Sequence, residues 1–382
     1  MKILILGGDG YLGWPTAMYL SSGGHTIGVV DNLAKRKWEA EVGCGPLWPI
    51  PPLHDRVRAW NNSTLSNDYH MEMWICDIAE NRSLLYKIME GFKPDTIIHY
   101  AEQPSAPYSQ MDAGRVVYTQ QNNIIGTLNI LMAVLHHDTN IHIVKLGTMG
   151  EYGTPNIDIE EGWLDVEHKG RGERVLYPKR PGSWYHLSKV HDSHNLEFAC
   201  RTWGLRVTDL NQGIVYGTHT NETRRAAALR TSFHYDAIFG TVLNRFITQS
   251  VAGEPLTVYG SGTQTRGFLD IRDTIRCVEL ACETPPDGGT FRVMNQFTEQ
   301  YAVIDLANMV SDATGAKVQH ISNPRVEAED HYYNAAHTKL IDLGLSPHHL
   351  TEEMIETMVL EVERFKDNIN PTAIYPTVKW RQ

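Results

Sequence analysis

Short apolar segments alternate with segments of helical periodicity through the first 217 residues. Four apolar runs have the length of strands, at residues 3–6, 26–30, 96–99 and 141–146. Apolar residues recur at helical spacing in longer segments, at residues 11–21, 81–91, 122–135 and 184–202. Continuous apolar strands that alternate with helices are typical of a parallel sheet covered on both faces. The pattern therefore predicts an α/β fold, a doubly wound parallel sheet, over residues 1–217.

Two regions depart from this alternation. Residues 36–70 hold three tryptophans and a proline-rich run, and they are too long and too aromatic for a solvated connection. This insertion either packs on the domain surface or forms a flap over the active site. After residue 217 the alternation weakens, and residues 218–382 predict a smaller C-terminal α/β domain for substrate binding. We allow for the chain crossing back from there to the first domain.

The charge pattern argues against one class of partner. Of the 382 residues, 34 are Lys or Arg and 45 are Asp or Glu, and the basic residues are scattered. Phosphate-backbone binding rests on dense Lys and Arg contacts, so we expect no nucleic-acid partner. Five cysteines without a CxxC pair fit a reducing compartment, and the adjacent pairs at 136–137 and 348–349 lack the spacing of histidine metal ligands. We expect no metal site.

The hydropathy of the chain predicts no membrane association. No apolar run reaches the roughly 18 residues that span a bilayer. Five residues after Met1 lead straight into a glycine-rich turn, so we expect no targeting segment before the fold. The expected location is cytoplasmic, or an organelle stroma if a transit peptide has been removed.

The glycine-rich turn follows the first predicted strand. Gly7, Gly10 and Gly13 form GxxGxxG, which permits a tight turn and lets a pyrophosphate approach a helix N-terminus. Asp31 closes the second strand, where a carboxylate can accept hydrogen bonds from ribose hydroxyls and would repel a 2′-phosphate. These features predict an NAD-binding Rossmann domain and favour NAD over NADP.

Charged residues near the same strand ends allow two interpretations. Lys35, Arg36 and Lys37 form either a solvated basic patch or a site for a 2′-phosphate. Asp77, just before Ile78, follows the third strand, where its carboxylate can meet the adenine amino group or cap a helix. The two roles of Asp77 are compatible.

A YxxxK motif opens the helix predicted at 184–202. Tyr185 and Lys189 lie one helical turn apart, so the ammonium lies near the phenol. A nearby cation favours the phenolate, and we expect the tyrosine to exchange a proton with a substrate hydroxyl far below its free pKa of about 10. Together with the glycine turn and Thr148 after an apolar strand, the motif resembles the extended short-chain dehydrogenase/reductase superfamily.

Within that superfamily the chain resembles the UDP-sulfoquinovose synthase family. The resemblance rests on long stretches spread over nearly the whole chain: GGDGYLG at 7–13, VKLGTMGEYGTPNIDIEE at 144–161, YHLSKVHDSHN at 185–195, TDLNQG at 208–213, QTRGFLDIRD at 264–273 and NPRVEAEDHYYN at 323–334. It implies an NAD-dependent enzyme that converts UDP-glucose and sulfite to UDP-sulfoquinovose through a 4-keto-5,6-ene intermediate. It also implies a homodimer.

The resemblance implies the residues of the site. Thr148, Tyr185 and Lys189 are the implied catalytic group, with Asn123 ordering the lysine. Besides Tyr185 and Lys189, the implied NAD contacts are Gly7, Asp9, Gly10, Tyr11, Leu12, Gly13, Asp31, Asn32, Arg36, Asp77, Ile78, Tyr100, Asn122, Gln212 and Val215. The implied nucleotide-sugar contacts are Gln103, Arg115, Thr148, Gln212, Thr241, Arg266 and Arg325. Independently of the family, the guanidiniums of Arg266 and Arg325 are suited to clamp a diphosphate, the alternative being surface ion pairs.

The residues for proton transfer differ from those of related enzymes. Sugar-nucleotide 4,6-dehydratases of the superfamily place an Asp-Glu pair directly after the threonine that matches Thr148. Here those two positions are Met149 and Gly150. We therefore consider Glu151 and His186 for proton transfer, the alternatives being a turn-stabilising carboxylate and a packed histidine.

The loop after the fourth strand also departs from the family. The family carries an arginine where this chain has Pro104, and the loss of a cation weakens the case for sulfite. Arg115 is a candidate replacement. Two rival functions follow, an epimerase, dehydratase or thiosugar-forming enzyme acting on another nucleotide sugar, and a non-catalytic dinucleotide-binding regulator. The Thr148, Tyr185 and Lys189 group argues against the regulator.

Overall fold

The computed structural model describes residues 1–63, 70–325 and 332–380. Its strands are β1 (Lys2–Leu6), β2 (Thr26–Asp31), β3 (Met71–Ile75), β4 (Thr96–His99), β5 (His142–Thr148), β6 (Trp163–His168), β7 (Arg171–Leu176), β8 (Arg206–Gln212), β9 (Ile214–Tyr216), β10 (Leu256–Tyr259), β11 (Thr265–Asp270), β12 (Phe291–Gln296), β13 (Glu299–Ala302) and β14 (Val318–Ile321). Its helices are α1 (Gly13–Ser22), α2 (Ala34–Val42), α3 (Leu53–Ser63), α4 (Arg82–Phe92), α5 (Ala113–Gln120), α6 (Gly126–His137), α7 (Trp184–Trp203), α8 (Val242–Ala252), α9 (Ile271–Glu283), α10 (Val303–Thr314), α11 (Lys339–Asp342), α12 (Glu352–Glu363) and α13 (Pro371–Ile374).

A seven-stranded parallel sheet forms the centre of the molecule. Its order is β12-β8-β5-β4-β1-β2-β3, and β1 lies between β2 and β4 with Ile3 opposite Ile27 and Ile5 opposite Ile98. The strands β1, β2 and β4 are nearly continuous apolar runs, as expected where helices cover both faces of a sheet. The predicted doubly wound α/β sheet is confirmed.

The predicted elements are present with ends shifted by a residue or two. The exception is the helix predicted at 122–135, which begins as a π-helix at Gln121–Ile125 before α6. This wider turn interrupts the regular hydrogen bonds at Asn122 and Asn123, and π-helical turns of this kind are frequent at functional sites.

Residues 36–70 pack against both halves of the protein. Trp60 is buried in the core beside the central sheet, whereas the ring of Trp48 stacks on Phe233 at 5.1 Å in the C-terminal half. Trp38 contributes to the wall of the central cavity. Residues 64–69 of this insertion lie outside the described residues.

The C-terminal half builds a smaller unit beside the carboxyl ends of the central strands. A three-stranded sheet in the order β13-β11-β9 and the parallel pair β10-β14 pack with α8, α10 and α12 around a separate apolar core. The chain crosses back to the first half through β12, which pairs with β8. Within the predicted C-terminal domain at 218–382, residues 326–331 lie outside the described residues.

Strands β6 and β7 form an antiparallel hairpin whose side chains are mostly exposed and which was not predicted. Its sequence is polar, so it lacks the apolar runs from which the strands at 3–6, 26–30, 96–99 and 141–146 were predicted. Among the described residues, no helix combines the length and apolarity needed to cross a membrane.

Candidate active site

A cavity of about 1000 Å³ opens where the carboxyl ends of the central strands face the C-terminal half. This is the edge at which doubly wound sheets bind ligands. Twenty of the residues predicted for the site line it, namely Gly7, Asp9, Gly10, Tyr11, Leu12, Gly13, Asp31, Asn32, Ile78, Tyr100, Asn122, Thr148, Tyr185, His186, Lys189, Gln212, Val215, Thr241, Arg266 and Arg325. Five do not, namely Arg36, Asp77, Gln103, Arg115 and Glu151.

The glycine turn leaves room for a phosphate at the N-terminus of α1. Gly7 has a φ of 87°, which favours glycine, and a Cβ atom at Gly13 would overlap the carbonyl oxygen of Gly7. Gly7, Gly10 and Gly13 line the cavity and bring backbone to it without a side chain of their own. Backbone N–H groups at a helix start attract anions, so this turn fits the pyrophosphate of a dinucleotide.

Asp31 fixes the same turn. Its two carboxylate oxygens accept hydrogen bonds from the backbone N–H groups of Asp9 at 2.9 Å and Leu33 at 2.7 Å. Burial, and then the charge of Asp9, raises the pKa of Asp31 to about 6. The carboxylate lines the cavity at the end of β2, as its predicted contact with a ribose requires.

The basic residues near Asp31 are engaged by the protein itself. Arg36, predicted to contact NAD, instead donates to Asp9 through Nε at 2.6 Å and to the carbonyl oxygen of Pro51 at 2.7 Å. Lys35 pairs with Glu39 at 2.9 Å, and Lys37 lies 4.0 Å from Glu41. These pairs leave no open cluster for a 2′-phosphate among the three basic side chains.

Asp77 also points away from the cavity. It accepts hydrogen bonds from the backbone N–H groups of Ala79 and Glu80 and from the side chain of Asn32 at 2.8 Å. The predicted helix cap at Asp77 is wrong, because Asn81 caps α4 and Asp77 instead stabilises the turn before it. The adenine contact of Asp77 stays a prediction, and the neighbouring Ile78 lines the cavity.

Tyr185 and Lys189 reach the cavity from the first turns of α7. Ser183 caps this helix by accepting a hydrogen bond from the backbone N–H of His186. The Lys189 ammonium lies 5.8 Å from the Tyr185 ring centre, donates to the carbonyl oxygen of Leu146 at 2.7 Å and pairs with Glu102. The predicted group is therefore assembled, with a carboxylate behind the lysine.

That carboxylate changes the expected electrostatics. Burial, and then the charge of Glu102, raises the pKa of Tyr185, whereas Lys145 and a hydrogen bond from Thr148 lower it by less. The expected preference for the phenolate is therefore not met in the cofactor-free protein, because burial and the charge of Glu102 both favour the neutral phenol.

Asn123 orders the lysine indirectly. Its side-chain amide donates to the Ser188 hydroxyl at 2.9 Å and to the Gln103 carbonyl oxygen at 3.2 Å, and its oxygen accepts from the Gln103 backbone N–H. The asparagine thus ties the loop after β4 to the residue that precedes Lys189 on α7.

A buried charge cluster lies behind the catalytic group. Lys145 of β5 is wholly buried, 3.8 Å from Asp192, 3.8 Å from Asp209 and 3.9 Å from Glu151. Burial alone would lower the pKa of this lysine, but the three carboxylates together raise it. Burial, and then the charge of Glu102, raises the pKa of Asp192 well above its ordinary value. Burial thus favours the protonated form of Asp192, whereas the charge of Lys145 opposes it.

Glu151 belongs to this cluster rather than to the cavity. One oxygen accepts from the Ser193 hydroxyl at 2.8 Å and pairs with Lys179, and the other meets the backbone N–H of Thr148 in a capping box. Both oxygens are occupied and the side chain is wholly buried. The structure therefore contradicts a proton-transfer role for Glu151 and supports the turn-stabilising alternative.

His186 lies against Gly150 at the wall of the cavity. Its Nδ1 is 3.0 Å from the hydroxyl of Ser183, and a Cβ atom at Gly150 would overlap the imidazole ring. Burial, and then the charges of Arg325 and Arg266, lowers the pKa of His186 to about 3. The imidazole is therefore neutral at neutral pH and has room only because residue 150 is glycine.

Arg266 and Arg325, predicted to bind a diphosphate, both line the cavity, and their charges act on His186. The guanidinium of Arg325 lies 5.3 Å from the ring centre of Trp380. Tyr259 and Arg245 also line the cavity, with the Arg245 guanidinium donating to the Tyr259 hydroxyl at 3.0 Å. Cationic and aromatic side chains together suit a nucleoside diphosphate.

Two predicted substrate contacts are directed elsewhere. The buried Gln103 side chain donates to Thr119 at 2.9 Å and holds the loop after β4. Arg115 pairs with Asp112, the residue that caps its own helix, and lies 3.7 Å from Glu41. Pro104 lines the cavity, but Arg115 does not. Arg115 therefore does not replace the charge of the arginine that the family carries at position 104.

Several residues in or behind the site were not predicted from the sequence, among them Glu102, Lys145, Arg180 and Trp380. Lys145 lies within a strand and Glu102 directly follows one, so an unexpected charge at a buried strand was the available signal. Arg180 and Trp380 lie outside the motifs, and no local pattern marks them. Within the described part of the chain, no group of three or more His, Cys, Asp or Glu side chains could hold a metal ion.

Solved structures of nucleotide-sugar enzymes share this fold. The UDP-glucuronic acid 4-epimerase of Bacillus cereus, solved with UDP-glucuronic acid and NAD, has a TM-score of 0.69 at 21% identity, covering 95% of this chain and 99% of that one. The UDP-glucose 4-epimerase of Thermotoga maritima, solved with UDP-glucose, has a TM-score of 0.67 at 21% identity, covering 96% and 99%. At these identities the likeness concerns the fold alone.

Sequence relatives are more specific. The model of the NAD dependent epimerase/dehydratase family matches residues 3–295. The chain is 51% identical to the chloroplastic UDP-sulfoquinovose synthase of Spinacia oleracea, over all of this chain and 79% of that protein. It is 41% identical to the UDP-sulfoquinovose synthase of Sulfolobus acidocaldarius, over all of this chain and 98% of that protein. The chain therefore belongs to the NAD-dependent epimerase/dehydratase family and, within it, to the UDP-sulfoquinovose synthase family.

Proposed function

We propose that the protein converts UDP-glucose and sulfite to UDP-sulfoquinovose with tightly held NAD. The observation that carries this proposal is the full-length similarity to two UDP-sulfoquinovose synthases, with Thr148, Tyr185 and Lys189 assembled at one cavity. A non-catalytic regulator has no use for such an acid-base group.

NAD fits the turn at Gly7 to Gly13 and the carboxylate of Asp31. It supplies the chemistry of taking a hydride from C4 of the sugar and returning it at the end of each turnover. The ion-paired Lys35, Arg36 and Lys37 favour NAD over NADP, because their charges are already offset by Glu39, Asp9 and Glu41. We expect NAD to copurify with the protein, and release of NADP on denaturation would contradict this cofactor.

Tyr185 acts on the sugar 4-hydroxyl. The phenolate form of Tyr185 accepts the hydroxyl proton as C4 is oxidised, and the phenol so formed returns it when C4 is reduced, so no proton is lost over a full turnover. Thr148 hydrogen-bonds to the same side chain, and the Lys189 ammonium lies 5.8 Å from its ring centre. The pair Lys189–Glu102 keeps the ammonium in place.

His186 is the candidate for the proton at C5. The ketone at C4 acidifies that proton, and the imidazole accepts it before the C6 hydroxyl leaves as water. The charges of Arg325 and Arg266 disfavour a protonated His186 in the free protein. A bound diphosphate would offset both guanidiniums, so substrate binding itself raises the basicity of His186.

Sulfite completes the reaction at C6. Its sulfur donates an electron pair to C6 of the conjugated enone and forms the carbon-sulfur bond, while C5 regains a proton. UDP-glucose and hydrogen sulfite thus give UDP-sulfoquinovose and one water.

The test is incubation of the protein with UDP-glucose and sulfite, followed by mass spectrometry. The expected product replaces the C6 hydroxyl by a sulfonate. Consumption of UDP-glucose that does not depend on sulfite would favour the second candidate, an enzyme that acts on another nucleotide sugar or with another nucleophile. Pro104 at the cavity wall is the observation that supports this second candidate.

A homodimer is the proposed assembly. Large apolar side chains are exposed on α5 and α7, including Val117 at 62%, Trp184 at 44% and Phe198 at 48%. Light scattering on the purified protein tests this, and a monomer at micromolar concentration would contradict it.

A further inference from the structure

The cavity contains one cationic side chain that the protein leaves unpaired. Six Lys or Arg side chains line it, namely Lys35, Arg180, Lys189, Arg245, Arg266 and Arg325. Five of them are held by an acceptor or an aromatic ring. Of these six side chains, all within residues 1–63, 70–325 and 332–380, only that of Arg180 makes no hydrogen bond, ion pair or ring contact.

The backbone around Arg180 is fixed by the site. On one side, Lys179 pairs with the buried Glu151. On the other, Ser183 caps α7 and contacts His186 at 3.0 Å. A Cβ atom at Gly153 would overlap the carbonyl oxygen of Arg180, so the two chain segments pass in close contact. Arg180 thus has an exposed side chain on a backbone that its neighbours fix at the cavity wall. It lies three residues before Ser183, the cap of the catalytic helix.

We propose that Arg180 binds the anionic nucleophile and sets the affinity of the enzyme for sulfite. The proposal rests on the proposed function, which requires a small oxyanion beside His186. A guanidinium offers paired N–H donors to an oxyanion, and its exposure at the cavity wall attracts anions from solvent. Arg180 thereby supplies the charge that Pro104 does not.

The test compares Arg180→Gln with the wild type in steady-state kinetics. Glutamine keeps polarity and approximate length but removes the charge. We expect the KM for sulfite to rise about 10- to 100-fold, as for the loss of one charge-assisted hydrogen bond. The KM for UDP-glucose should stay within about twofold. The wild-type KM for sulfite should also rise with salt, and this rise should be smaller in the variant.

Two further variants make the result specific. Arg171→Gln removes an exposed arginine of the β6–β7 hairpin, outside the cavity lining, and should leave the KM for sulfite unchanged. Pro104→Arg in the Arg180→Gln background places a cation at the other wall and should recover part of the lost affinity. An unchanged KM for sulfite in Arg180→Gln, or a rise confined to UDP-glucose, overturns the role of Arg180. A wild type that forms no sulfonate from UDP-glucose and sulfite instead overturns the proposed function.

Discussion

The imidazole of His186 occupies the space that a side chain at position 150 would fill. A Cβ atom on Gly150 would overlap Nε2, Cδ2 and Cε1 of the ring. Dehydratases of the same superfamily carry a glutamate at this position, so the two arrangements exclude each other sterically. The absence of a carboxylate at position 150 is therefore what allows the His186 ring to occupy this place.

Gly150→Ala should displace His186 and abolish most of the activity. If His186 exchanges the C5 proton, we expect a loss on the order of 100-fold in kcat with UDP-glucose binding retained. Gly91→Ala is the matched control, because a Cβ atom there meets no atom within 4 Å. The control should keep full activity and change the free energy of unfolding by at most about 1 kcal/mol. A fully active Gly150→Ala would show that the ring position is unimportant.

Tyr185→Phe should fold normally and lose about 100- to 10,000-fold in kcat, because it removes the group that accepts the 4-hydroxyl proton. The NAD content of the purified variant should match that of the wild type. Tyr375→Phe, which removes a hydrogen bond to Glu254 away from the cavity, is the control. Comparable kcat values for the two variants would remove Tyr185 from the mechanism.

The buried cluster predicts opposite effects for two carboxylates. Asp192→Asn should be tolerated within about 1 kcal/mol, because burial favours the neutral form of Asp192. The buried Glu102 differs, because Lys189 and Lys145 outweigh its burial and lower its pKa. Glu102→Gln should destabilise the fold by about 3–5 kcal/mol, since it leaves a buried lysine without its partner. Urea unfolding at pH 7 measures both, and equal losses would contradict the preference of Asp192 for the neutral form.

His142 should make the folded protein less stable as the pH falls. Burial, and then Arg292 and Arg206, lowers the pKa of this histidine to about 3. The unfolded chain binds a proton near its ordinary value of 6.5 and the folded state does not. Stability is thus full above pH 6.5 and is lost as the pH falls toward 3, by at most about 1.4 kcal/mol per pH unit.

His142→Gln removes this group and keeps a polar partner for Thr208, whose hydroxyl lies 2.9 Å from His142 Nε2. The variant should show a shallower loss of stability between pH 6 and pH 4, measured by urea unfolding at each pH. Parallel curves for the variant and the wild type would show that the histidine takes up its proton without unfolding.

The sequence was sufficient wherever the structure depends on local pattern. The apolar runs, the glycine turn and the YxxxK spacing each constrain a few neighbouring residues, and all were found where expected. The pairing of charges depends on distant segments. Arg115 and Glu151 looked available in the sequence, but Asp112 and Lys179 engage them in the fold. Lys145 was missed for the same reason, since its three carboxylates come from separate elements.

The return of the chain into the central sheet limits how this protein can be divided. A fragment that stops at residue 217 would contain the dinucleotide turn and the catalytic helix but not β12, which pairs with residues Val207 to Gln212 of β8. The backbone of these six residues would then be unpaired at the edge of the sheet, an arrangement that promotes aggregation. The two halves therefore differ in what they bind, but they form a single folding unit.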